Sequence, residues 1–147
     1  VLVNIHTDPD EAKEEVDVLA DVYRAVRQAS GGEDDIIILG DFNRNDRQMG
    51  RLGQIPGIRP IVTGVFTNTR RDQLYDNIVI HQPSTAEFTG RWGVFDIERV
   101  TNPPLTQEQA LQVSDHLPVW AEFSAYESAA PGRVATRPDA AATIPTR

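Results

Sequence analysis

The sequence lacks cysteine, long apolar runs and a positive net charge, and each absence narrows the chemistry it can support. Without cysteine, these 147 residues can form no disulfide, no thiolate zinc site and no cysteine nucleophile. No apolar stretch approaches the roughly 18 residues that a membrane-spanning helix needs, so we expect no membrane span. The net charge of −8 would repel nucleic acid at long range, so a phosphate-bearing substrate would need cations for part of its attraction.

The composition suits a folded domain, although the chain begins abruptly. Hydrophobic residues make up 39% of the sequence and charged residues 24%, which is typical of a globular protein rather than a disordered one. The first six residues, VLVNIH, have the pattern of a strand interior with no initiator Met and no polar leader, so we expect a fragment that starts within a domain. We expect that domain to cover residues 1–126 and a flexible Pro/Ala-rich tail to cover residues 127–147.

Hydrophobic periodicity predicts alternating strands and helices. The first helix should have Asp8 as its N-cap and Pro9 as its first residue, and should end at Gly31 and Gly32. The order strand, helix, strand makes a mixed or parallel pairing plausible. A later helix should be capped by Thr106. The predicted strands lie within residues 1–6, 36–39, 75–80, 90–97 and 118–123, and residues 44–64 should form a loop with room for one short helix.

Polar side chains stand where several of these predicted strands meet a loop. In the stretch IIILGDFN, for example, four apolar residues run directly into a glycine, a carboxylate and an amide. Rigid strands that carry polar groups at one rim are a common way to build a functional site. The residues concerned are His6, Asp41, Asn43, Asp76, Asp115 and His116.

Hard-cation and acid–base chemistry both fit this set. Asp41, Asn43 and Asp115 offer oxygen ligands, which suit Mg²⁺ or Ca²⁺. His116 can accept a proton from water if a carboxylate fixes its tautomer, and His6 can donate to a phosphate oxygen. Each residue alone also has a purely structural explanation, because GDFN is often a turn, acids cap helices or end strands, and histidines pack on surfaces. Their joint occurrence in one order favours a site.

Five stretches of the sequence resemble the endonuclease/exonuclease/phosphatase superfamily, and within it the DNase I-like branch. They occur in the order of that family and cover most of the chain from Leu2 to Phe123. The resemblance implies an α/β (α+β) fold, the rear half of a DNase I-like four-layer sandwich of mixed β-sheets flanked by helices. It also implies a missing N-terminal half, which in the family supplies an Asn and a Glu as metal ligands. The stretches are NIHTDPDEAKEEVDVLADVY, IIILGDFN, FTN, LYDNIVI and QALQVSDHLPVWAEF.

The resemblance also implies a role for each polar residue. His6 corresponds to a phosphate-contacting histidine and candidate general acid, and His116 to a general base that Asp76 orients. Asp41 would position the attacking water or a metal, and Asn43 would bind the scissile phosphate. The predicted metal ligands are Asp41, Asn43 and Asp115 for Mg²⁺, with Mn²⁺ or Ca²⁺ as alternatives, and the predicted substrate-binding residues are Asn43, Arg44, Thr67 and Asn68.

These roles imply a divalent-metal-dependent phosphodiester hydrolase, above all a DNase I-like endonuclease that acts on nucleic acid. A phosphomonoesterase or lipid phosphodiesterase of the same fold is an alternative, as is a non-catalytic binding module or remnant. Arg44, Arg70 and Arg71 can contact backbone phosphates, although ordinary surface arginines would look the same. We expect the fragment itself to be inactive without the missing half.

Overall fold

A four-stranded mixed sheet forms the centre of the fold in a computed structural model that describes residues 1–31 and 34–125. Its first two strands run parallel, and the other two neighbouring pairs run antiparallel. The predicted mixed pairing is therefore confirmed. The strand order is β1-β2-β4-β3, with β1 at Leu2–His6, β2 at Ile37–Asp41, β3 at Ile58–Pro60 and β4 at Asp76–His81.

Helices cover one face of this sheet. Helix α1 (Ala12–Ala29) buries Val16, Leu19 and Tyr23 against the strands, because these residues recur at helical spacing on one side. The short helix α2 (Gly50–Gly53) adds Leu52 to the same core. Each large apolar side chain that is fully buried here contributes roughly 1.5–3 kcal/mol relative to an exposed position.

A two-stranded antiparallel sheet covers the other face. It consists of β5 (Phe88–Val94) and β6 (Val119–Phe123), whose apolar side chains pack against Ile78 and Ile80 of β4. Helix α3 (Gln107–Val113) joins through Ala110, which packs with Ile97 of a short 3₁₀ turn. Two packed sheets with flanking helices confirm the predicted α+β class.

The boundary predictions were correct in part. The capping box at the start of α3 is confirmed, because Thr106 and Gln109 bond reciprocally to each other's backbone amides. The predicted start of α1 is wrong, because the helix begins at Ala12 with Glu11 as its N-cap. The Asp8 carboxylate accepts the Asp10 amide instead, and the Glu15 carboxylate reaches back to the Asp8 amide. A tight turn therefore precedes the helix.

Other differences are smaller. Helix α1 ends at Ala29, two residues before Gly31, and Gly32 lies outside the described residues, as does the predicted tail over residues 127–147. Strand β5 ends at Val94, because residues 97–99 form the 3₁₀ turn. Strand β3 was missed, since its Ile58–Pro60 stretch is short and ends in proline. Among the helices that the structure describes, none is long and apolar enough to cross a bilayer.

Gly40 in β2 permits the close contact between β1 and β2, and its substitution tests that packing. A Cβ at this position would overlap the Ile5 carbonyl oxygen, and the backbone φ of +135° already disfavours any side chain. We expect Gly40→Ala to destabilise the fold by more than about 4 kcal/mol, measured by thermal or urea unfolding.

Gly90→Ala is the matched control, because Gly90 also has a positive φ (+84°) but open space around it. It should cost only about 1–2 kcal/mol, from the left-handed backbone alone. Equal losses from the two substitutions would show that the contact with Ile5 is unimportant.

Candidate active site

Strand register places three of the predicted site residues in one row. His6 is the partner of Asp41 in the β1–β2 pair, and Asp41 is the partner of Asp76 in the β2–β4 pair. Directly paired residues of neighbouring strands project to the same face of a sheet. This is the face that also carries Ile78 and Ile80, which pack toward the second sheet. The row therefore lies at the rim of the inter-sheet layer.

Asp41 is the geometric centre of the site. Its Oδ2 atom lies 3.7 Å from Nε2 of His6 and 3.7 Å from Nε2 of His116. Both separations exceed hydrogen-bond distance, and a water or phosphate oxygen beside Asp41 Oδ2 can contact it and an imidazole nitrogen together. The Asp41 side chain is 15% exposed, whereas that of His6 is 78% exposed. Asp41 is therefore held in the rim while His6 remains open to solvent.

His116 and Asp76 form a hydrogen-bonded pair. The His116 Nδ1 atom lies 2.9 Å from Asp76 Oδ2, so the ionised carboxylate accepts a proton that Nδ1 carries. This bond directs the other ring nitrogen, Nε2, toward Asp41 and leaves it free to accept a proton in the neutral ring. The pair has the geometry of a buttressed general base.

Electrostatics raise the pKa of both partners. Burial raises the pKa of Asp76 above its ordinary value, and hydrogen bonds from His116 and Thr67 offset only part of this effect. Desolvation alone would lower the pKa of His116. Its hydrogen bond to Asp76 and the charges of Asp76, Asp41 and Asp115 outweigh desolvation, and the pKa of His116 rises above its ordinary value. The site therefore favours a protonated imidazole more strongly than water does.

A short segment over residues 67–69 joins His116 to Asp76. The buried hydroxyl of Thr67 accepts the backbone amide of Asp76, and the Thr67 carbonyl accepts the amide of Leu117. Thr69 binds the residues just before His116, since its amide donates to the Asp115 carbonyl and its hydroxyl donates to the Ser114 carbonyl. Two chain segments more than 35 residues apart are thereby fixed side by side.

Asn43 is locked next to Asp41 by its backbone. Its φ of +46° lies in the left-handed region, which asparagine tolerates better than most residues. The Asn43 amide donates to Asp41 Oδ1 at 2.8 Å, and its side-chain nitrogen donates to the Thr7 carbonyl at 2.8 Å. The candidate site residue Asn43 therefore lies within the turn that the GDFN sequence favours.

Three other residues considered for the site are held by contacts within the chain. Thr67 is fully buried, and its hydroxyl accepts a hydrogen bond from the Asp76 backbone amide. The Asn68 side chain closes its own loop through Asp72 and the Gln73 amide. Arg71 is engaged by two acidic side chains, Asp96 at 3.0 Å and Glu98 at 3.2 Å.

Arg44 is partly buried and Arg70 exposed, and among the described residues neither forms an ion pair. Both guanidinium groups are therefore free to contact a phosphate.

Thr69 was missed from the sequence, although the alternation of threonines in TNT is the pattern of a short paired segment. Its pairing partner lies 45 residues away and cannot be read from local pattern.

The donor set can hold a hard cation through one carboxylate. In the described part of the chain, Asp41, Asp76 and His116 are the acidic and imidazole residues that converge, with ligand atoms within 4.8 Å of one another. Asp76 Oδ2 is bonded to His116 and Asp41 Oδ1 accepts the Asn43 amide, which leaves Asp41 Oδ2 open to a cation. The Asp115 side chain is exposed and is not one of the three residues that converge here. One carboxylate with water suits Mg²⁺, which keeps several waters in proteins.

Comparison with curated proteins identifies deoxyribonuclease relatives. Deoxyribonuclease-1-like 1 is 34% identical over 134 residues in Sus scrofa and 33% identical over 133 residues in Homo sapiens, each match covering 84% of this chain. Deoxyribonuclease gamma of Rattus norvegicus is 34% identical over 142 residues, or 88% of the chain. No protein-family model matches the chain. The resemblance to the DNase I-like branch is confirmed, and the chain spans only 42–44% of the length of these relatives.

Asp76→Asn tests the electrostatic pair by removing the charge nearest to His116. Because the largest contributions that raise the pKa of His116 come from Asp76, we expect the midpoint of its titration to fall in the variant. In the wild type the midpoint should lie above that of a free imidazole. Proton NMR of the imidazole measures both midpoints.

Asp115→Asn is the matched control, because Asp115 acts on His116 by charge alone and more weakly. A smaller downward shift is expected. A shift from Asp115→Asn as large as that from Asp76→Asn would contradict the assigned pairing.

Proposed function

We propose that this chain is part of a divalent-metal-dependent DNase I-like endonuclease, which hydrolyses phosphodiester bonds in DNA by attack of an activated water. One observation carries the proposal: Asp41 Oδ2 stands 3.7 Å from two imidazole nitrogens, and one of these imidazoles is buttressed by a second carboxylate. An acid, a base and an oxygen donor around one small space are the groups that phosphodiester hydrolysis requires.

His116 acts as the general base in this proposal. Its Nε2 atom accepts a proton from a water that contacts both His116 and Asp41, and the oxygen of that water attacks phosphorus. Asp76 keeps the Nδ1 proton in place and stabilises the imidazolium that forms. The raised pKa of His116 makes it a stronger proton acceptor, while more of it is already protonated below neutral pH.

His6 acts as the general acid on the opposite side of Asp41. When the bond between phosphorus and the leaving oxygen breaks, His6 donates a proton to that oxygen. The exposure of its side chain allows it to follow a mobile substrate. Asn43, fixed in its turn by Asp41 and Thr7, donates a side-chain N–H to a phosphate oxygen as charge develops there.

Asp41 is the residue that would hold a divalent cation, with Mg²⁺ favoured by its single free carboxylate oxygen. When bound, the cation supplies neutralisation of the negative charge on the phosphate. Asn43 and Asp115 remain proposed ligands because each side chain offers an oxygen donor. The metal matters further because the net charge of −8 repels a polyanion at long range.

DNA is the proposed substrate because the curated relatives are named deoxyribonucleases. Arg44 and Arg70 are the cationic side chains that we propose contact backbone phosphates. Arg71 is less suited, since two acids already neutralise it. An Asn and a Glu from an N-terminal half of the domain would complete the metal site, in keeping with the partial span of the relatives' length.

Substitution of His116 tests the assignment of the base. In the full-length enzyme, we expect His116→Ala to lower Mg²⁺-dependent plasmid nicking by about 10²–10⁴-fold, the range that general-base catalysis contributes. Circular dichroism checks that the variant is folded. His81→Gln is the matched control, because His81 lies at the opposite end of β4 and bonds Ser84. Its folded fraction should keep nearly full activity, and retained activity in His116→Ala would reject the base.

Comparison of this chain with the full-length enzyme tests the proposed division of the site. We expect the 147-residue chain to melt at a lower temperature and to show no Mg²⁺-dependent nicking above background. The reason is that part of the metal site, and cover for exposed apolar residues such as Leu2, would come from elsewhere in the domain. Equal activity of the two proteins would refute the division.

A further inference from the structure

An aromatic groove lies directly beside the candidate active site, and neither the proposed catalytic roles nor the resemblance accounts for it. It encloses about 500 Å³ and is lined on one side by the loop over residues 64–66 and on the other by β5. We call it the aromatic groove. Its main lining residues are Val65, Phe66, Trp92, Val94 and Leu117.

Two residues that line the groove are sequence neighbours of residues in the candidate active site. Leu117 directly follows His116, and Phe66 directly precedes Thr67, whose hydroxyl holds the Asp76 backbone. Consecutive Cα atoms lie about 3.8 Å apart, so the groove begins one residue from the imidazole and one residue from its positioning threonine. The groove therefore adjoins, through the backbone, the residues that hold His116 near Asp41.

The charges of the groove exclude a second phosphate as its occupant. Its one cation among the described lining residues is Arg71, and that guanidinium is paired with Asp96 at 3.0 Å and Glu98 at 3.2 Å. Asp96 itself also lines the groove. A polar but uncharged group with a flat apolar face is therefore favoured over an anion.

Phe66 supplies the flat surface for such a group. It is 53% exposed, which is unusual for a large aromatic residue, and it stands on a ridge shared with a second groove beside Asn45 and Leu74. Val65 next to it is also exposed. Exposed aromatic rings beside a phosphate site are the platforms on which nucleobases stack, whatever their sequence.

We propose that the aromatic groove binds the base and sugar of a nucleotide adjoining the scissile phosphate, and that Phe66 is the residue on which this base stacks. The inference rests on the proposed nuclease function and adds a determinant of substrate binding to it. Since stacking engages the substrate before and during the reaction alike, its loss should appear in KM rather than in kcat.

The experiment compares Phe66→Ala with the wild type in the full-length enzyme with Mg²⁺. The substrates are an oligonucleotide of defined cut position and two versions of it, each with an abasic tetrahydrofuran on one side of the cut. We expect Phe66→Ala to raise KM about tenfold on the normal oligonucleotide, with kcat within about twofold. On one of the abasic substrates the variant and the wild type should have the same KM.

Phe95→Ala is the matched control, because Phe95 is 49% exposed and neighbours the groove but does not line it. It should leave KM unchanged. The inference is overturned if Phe66→Ala leaves KM unchanged, raises it equally on all three substrates, or acts no more strongly than Phe95→Ala. No cleavage of any substrate by the wild type would overturn the proposed function, and the inference with it.

Discussion

The register between β1, β2 and β4 is the constraint on which the rest of the site depends. It aligns His6, Asp41 and Asp76 in one row on one face of the sheet. A slip of one residue in any of these strands would turn a catalytic candidate to the opposite face. Gly40 makes the close contact of β1 and β2 possible just before Asp41, and the apolar residues of β2 and β4 fix the register by packing on both faces.

His116 reaches this row through a different kind of interaction. Residues 67–69 bind the start of β4 on one side and the segment before β6 on the other, mostly through backbone hydrogen bonds and buried threonine hydroxyls. Backbone contacts of this kind place the imidazole without adding charge near it. The charges that remain are carboxylates, and their sum raises the pKa of His116 despite its partial burial.

Much of the site could be predicted because its residues stand at strand ends, where local pattern is informative. His6, Asp41, Asn43, Asp76 and His116 were found in this way, and the Thr106 cap followed from its spacing to Gln109. The start of α1 was not predictable, because it depends on a turn before the helix. In that turn the Asp8 backbone amide donates to the Glu15 carboxylate. Thr69, the partners of Arg71 and the aromatic groove depend on contacts between distant segments, which local periodicity does not encode.

Asp41 would hold a divalent cation in the proposed mechanism, while His116 and His6 act on the phosphate. An anomalous difference map from crystals of the full-length enzyme soaked in Mn²⁺ tests it most directly, because Mn²⁺ accepts the same oxygen ligands as Mg²⁺ and can be located. We expect a peak at coordination distance from the Asp41 carboxylate, with His116 bonded to Asp76 rather than to the ion. Peaks found only elsewhere, or an ion bound by the Nδ1 atom of His116, would contradict it.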